Sequence, residues 1–87
     1  MTVFMAWSSA PVPTEVAGPW EELRVAAPDL ALISSRDSLS RVYHELKWAL
    51  PDGAALIVAP VAAVPKLKGL PPGTQTWLRD RLGTDTG

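Results

Sequence analysis

Arg41, His44, Glu45 and Trp48 are the densest group of side chains in the chain able to recognise a partner. A guanidinium and a carboxylate make charge-assisted hydrogen bonds, an imidazole exchanges a proton near neutrality, and Trp and Arg carry binding energy at interfaces more often than other residues. On a helix, with 100° between successive residues, these positions fall on one side. His44 is the only histidine. It has no serine nucleophile motif and no second histidine at ligand spacing, so it is read as a solvated surface residue rather than a general base or metal ligand.

A second group would matter if strand ends met at one edge of a sheet. Ser8 and Ser9, Ser34 and Ser35 with Arg36, and the loop lysines Lys66 and Lys68 each follow an apolar run. In an open parallel sheet the carboxyl ends of the strands line one crevice, where hydroxyls, three cations and a helix N-terminus would suit a carboxylate or phosphate.

Other chemistry lacks its residues. The chain has no cysteine, which removes disulfides, thiolate catalysis and thiolate metal sites. Glu21 and Glu22 are sequence neighbours and would point about 100° apart on a helix, so they form no convergent carboxylate pair. No GxGxxG or Walker pattern occurs, and GLPPGT places two prolines where phosphate-binding N–H groups would be needed. A basic aromatic surface could draw on Lys66, Lys68, Trp77, Arg79 and Arg81, but the net charge of −1 offers no long-range attraction for nucleic acid. No catalytic residue, metal or cofactor is assigned.

These side chains need elements to hold them. Eighty-seven residues, 47% of them hydrophobic and four of them tryptophan, suffice for one small core. A single domain is expected over residues 1–82, with a frayed tail at 83–87. Three apolar runs, Val3–Trp7, Leu30–Ile33 and Leu56–Ala59, lack polar alternation and read as strands covered on both faces, the habit of parallel sheets. Pro19, followed by Trp20, Glu21 and Glu22, reads as the start of a helix that Pro28 closes, with Trp20, Leu23 and Ala27 as its apolar stripe. Leu39, Val42, Tyr43, Leu46 and Leu50 follow the amphipathic helical period, with Asp37 or Ser38 as the cap. Pro51-Asp52-Gly53 ends that helix. Thr74 caps a last helix, Gln75–Leu82.

The alternation predicts an α/β fold, β-α-β-α-β-α, with a three-stranded, mostly parallel sheet ordered 2-1-3 and helices on both faces. The alternative is an α+β, ferredoxin-like fold in which Arg41–Trp48 is a strand. The helix is preferred because it gathers five large apolar residues on one face, whereas a strand sets His44 among the apolar ones. On that helix Trp48 lies about 180° from Leu39 and faces away from the core.

The N-terminal apolar run has no basic flank and no cleavage site of a signal peptide. Pro60 and Pro65 interrupt the longest apolar stretch before it could span a bilayer. A cytoplasmic protein without membrane association is therefore expected. The expected function is a small non-enzymatic protein-interaction or regulatory module, most simply a homodimer, with Arg41, His44, Glu45 and Trp48 as its surface. The alternative is a binder or processor of a small anionic ligand at the strand ends.

Overall fold

Apolar and β-branched runs supply the strands of this chain, and one strongly periodic segment supplies its principal helix. The computed structural model describes residues 1–82. Its elements are β1 (Thr2–Ser8), β2 (Glu22–Ala27), β3 (Leu30–Ser35), α1 (Leu39–Ala49), β4 (Leu56–Val61) and α2 (Thr74–Leu82). The tail expected at 83–87 lies outside the described residues.

The four strands form one sheet in the order β2-β3-β1-β4, and every neighbouring pair is antiparallel. This corrects the expectation of a three-stranded, mostly parallel α/β sheet: the class is α+β. The three anticipated strands do stand in the anticipated order, with β1 between β3 and β4. The error lay in direction. Continuous apolar runs mark no solvent face in the sequence, and an antiparallel sheet can carry them when one helix lies on each face. Residues 41–48, a strand in the ferredoxin-like alternative, are helical.

The second correction concerns Pro19–Ala27, which was expected to be helical. Glu22–Ala27 is a strand instead, paired with β3 in a hairpin whose turn is Pro28-Asp29, with Ala27 opposite Leu30. Leu23 and Val25 pack against the core on the α1 side, while Arg24, between them, faces the other layer and donates to Pro72 O at 3.1 Å. In so short a segment the same apolar residues satisfy periods of 2 and of 3.6, and the adjacent strand decides between them. A bulge between Val25 and Ala27 adds Ala26, which is buried on the α2 side.

Two apolar clusters sandwich the sheet. On one side Phe4, Ala6, Ala31 and Ile33 meet Val42 and Leu46 of α1. On the other, Val3, Ala26 and Leu32 meet Leu78 of α2. Ser38 caps α1, its Oγ accepting from Arg41 N at 3.2 Å. Val42, Leu46 and Leu50 are buried as their spacing requires, but Leu39 is 41% exposed. As the first residue of α1 it lies outside the buried stripe, which therefore has fewer large members than expected.

Trp20 packs, partly buried, against the cluster on the α1 side. Its Nε1 donates to Val16 O at 3.2 Å, and a Cβ at Gly18 would lie 2.3 Å from its ring. Gly18→Ala must therefore push the indole aside. Overpacking of this kind costs roughly 1–3 kcal/mol, which a lowered urea midpoint at unchanged slope would record.

The strand β2 is tied to α2 by Arg81. Its Nε donates to Glu22 Oε1 at 2.8 Å and its Nη2 to Oε2, while its Cζ lies 4.1 Å from the centre of the Trp77 ring. The bond from Arg81, helped by the guanidinium charge, holds the Glu22 carboxyl below the usual carboxylate range despite some desolvation. Because the folded-state value is lowered, the bond's contribution is complete above the unfolded carboxylate value. It disappears as pH falls through the lower folded one. Glu22→Gln is thus expected to lower stability slightly at neutral pH, as befits a partly exposed pair, to leave it unchanged in acid where Glu22 is protonated, and so to flatten the acid limb of a stability–pH curve below about pH 5. An identical acid limb in the variant would remove Glu22 from the titration.

Candidate functional site

Helix α1 lays Val42 and Leu46 on the sheet, and this turns the opposite side outward. There Arg41, His44 and Trp48 are exposed and Glu45 is half-buried. Trp48 is 71% exposed, the highest value among the large hydrophobic residues. His44 and Trp48 are one turn apart, with ring centroids separated by 6.1 Å and planes tilted by 57°. Tyr43 meets His44 edge-on at 5.2 Å.

The imidazole is oriented by its own helix. His44 Nδ1 lies 2.7 Å from Ser40 O, and since a carbonyl oxygen only accepts, Nδ1 carries the proton and donates. Nε2 is then the ring nitrogen left for a partner. Among the described residues the ion pairs are Glu21 with Arg36 and Glu22 with Arg81, so neither Arg41 nor Glu45 is engaged in one. No group of three or more metal-ligating side chains occurs among the described residues.

Beside this surface lies a cleft of about 260 Å³ between the C-terminal half of α1, the following turn and the start of β4. Tyr43, Lys47, Trp48, Asp52 and Leu56 are among its lining residues. Gly53, with φ of 85°, makes the turn that closes its end.

The serines and cations of the second group do not converge. Ser8 and Ser9 end β1, whereas Ser34 and Ser35 end the antiparallel β3, where Thr2 stands opposite Ser35. Six residues of strand separate the two ends, about 20 Å. Each hydroxyl is also occupied. Ser8 Oγ accepts from Ala10 N at 3.1 Å, and Ser9 Oγ accepts from Ala55 N at 2.7 Å. The Ser34 hydroxyl donates to the Met1 sulfur. Ser35 donates to Pro19 O and accepts from Asp37 N at 2.9 Å. Arg36 lies 3.8 Å from Glu21, and Lys66 and Lys68 are exposed in the connection after β4. The crevice that would have collected these groups required parallel strands, and the sheet has none that are adjacent.

Sequence reasoning missed a third surface. Met5 and Trp7 of β1 and Ile57 of β4 are exposed, and the register sets Trp7 between Leu30 and Ile57. They lie on the α2 side of the sheet, running from Met5, which stands opposite the buried Leu32, toward the end away from the buried Val3. Their run carries no polar alternation to mark the uncovered part, so nothing local in the sequence distinguishes it from the buried part.

No helix among the described residues is long and apolar enough to cross a membrane. No protein-family model matches the chain, nor does any curated protein or solved structure.

Proposed function

We propose that this chain is a non-enzymatic interaction module that works by self-association through the outer side of α1. One observation carries the reading: Trp48 is 71% exposed on a helix whose core duty is already met by Val42, Leu46 and Leu50. A tryptophan offers more apolar area than most residues and is a frequent interface anchor.

The four residues are complementary to a second copy of themselves. Arg41 and Trp48 stand two turns apart, about 10 Å along the axis. A two-fold axis between His44 and Glu45 sets two α1 helices antiparallel and brings each Arg41 to the height of the partner's Trp48. The guanidinium can then cover the indole face and reach the partner's Glu45. The same patch serves both subunits, as a two-fold interface requires. His44 lies near the axis, its Nδ1 engaged by Ser40 O.

Sedimentation across a concentration series tests this. The wild type is expected to shift from monomer to dimer with concentration. Trp48→Ala should weaken dimerisation at least about thirty-fold, the equivalent of roughly 2 kcal/mol for a central anchor. Arg41→Glu should do so by repulsion from Glu45, and the exchange Arg41→Glu with Glu45→Arg should restore it. A wild type that stays monomeric throughout the series overturns the proposal.

A further inference from the structure

β4 is an edge strand, and its backbone bonds alternate between inside and outside. Ala55 turns inward, its O accepting from Ser9 N at 2.9 Å. Leu56 therefore turns its N–H and C=O outward, Ile57 inward, Val58 outward, Ala59 inward and Pro60 outward. Pro60 fits this alternation, since proline has no N–H to lose and is tolerated where the missing donor would face solvent. The free edge thus offers two donor–acceptor pairs, at Leu56 and Val58, and ends at Pro60.

The same edge borders the cleft under α1. Leu56 and Val58 stand opposite Ser8 and Ala6 and pack toward α1, so a residue paired with either would also point its side chain toward that helix. At the far end Pro51, Asp52, Gly53 and Ala54 line the cleft, and an added strand must stop there. An antiparallel added strand would end at that point with its carboxyl terminus. Among the described residues Lys47, in the last turn of α1, is the only cation lining the cleft. Asp52 is the only anion among them and belongs to the turn rather than to the helix wall.

We infer that the groove between β4 and α1 captures the extended carboxyl terminus of another polypeptide as a fifth strand. The terminal residue pairs with Leu56 and puts an apolar side chain among Tyr43, Trp48 and Leu50. Its carboxylate accepts from the Leu56 N–H and from the Lys47 ammonium, the combination of main-chain ladder and terminal-carboxylate capture by which strand addition gains affinity and selectivity. The penultimate side chain points to the opposite face beside Ile57, which is 63% exposed. The residue before it pairs with Val58. Pro60 limits the ladder to a short segment, and its missing N–H guards the edge against longer, unspecific pairing.

Trp48 lines the groove as well as standing on the outer side of α1, whereas Tyr43 and Lys47 lie about 100° or more around the helix from it, so the test is made at Lys47 and at the β4 edge, which α1 pairing does not require. The test uses a library of hexapeptides with random sequence and an apolar last residue, prepared as free acids and as amides. Free acids are expected to bind, with amides at least about tenfold weaker. Methylating the backbone nitrogen of the terminal residue should abolish binding, and Lys47→Met should weaken free acids about tenfold while leaving amides unchanged. In the free protein the Leu56 and Val58 amides should exchange with solvent quickly, and peptide should slow both. The inference is overturned if no free acid binds better than its amide, if Lys47→Met changes nothing, or if bound peptide leaves those two amides unprotected. Failure of Trp48→Ala to alter the oligomeric state would bear on α1 self-association alone.

Discussion

Leu46→Ala is expected to remove about 2–5 kcal/mol of stability, as truncation of a fully buried leucine does. Leu46 is 1% exposed and lies among Phe4, Ala6, Ala31, Ile33 and Val42, so the lost methyls leave a cavity walled by both α1 and the two central strands. The sheet is braced from its other side, and it can relax into that cavity only in part. A domain of this length has little in reserve, and the variant should unfold at a much lower denaturant concentration with an unchanged slope. An unchanged midpoint would mean that α1 does not rest on the sheet through this residue.

Leu78→Ala is expected to cost a similar amount, about 2–5 kcal/mol, through the other cluster. Leu78 is fully buried against Val3, Ala26 and Leu32, and it is the apolar anchor of α2 in that cluster. The two leucines lie on opposite sides of the sheet and share no cluster, so their effects should add in a double variant to within about 0.5 kcal/mol. The double variant is therefore expected to be unfolded without denaturant, which circular dichroism would record. Where the double variant still folds, a combined loss that departs from the sum of the single losses by more than about 0.5 kcal/mol would show that the layers are not independent.

The residues explain why some of this architecture was legible and some was not. α1 was, because its apolar spacing and the Ser38 cap favour a helix over the strand that residues 41–48 could also form, and the same wheel turned Trp48 outward. β1, β3 and β4 were legible as strands, but their direction was not, since Val, Ile and Leu record burial and say nothing of polarity. β2 was hidden because ELRVAA fits both periods, and Pro28, read as a helix stop, is the first residue of a hairpin turn. The serine-rich ends form one site only in a parallel sheet. Once β3 turns round, Ser34 and Ser35 move to the far edge. The cleft at Lys47 could not be read at all: it arises from the approach of α1 to the edge of β4, a relation between elements that no spacing within either one encodes.

The central place of β1 has a consequence for how the chain acquires its shape. Residues 2–8 are synthesised before their partners, residues 30–35 and 56–61. Loops of more than twenty and more than forty residues must close before β1 is paired on both sides, which makes the contact order high and the folding slow relative to a helical domain of equal length. Until Val61 has left the ribosome, VFMAW has at most one neighbour and keeps an open edge. The β2–β3 hairpin and α1 can form locally meanwhile. A nascent chain arrested before β4 should therefore bind a holdase chaperone through residues 2–8 and release it once β4 is complete.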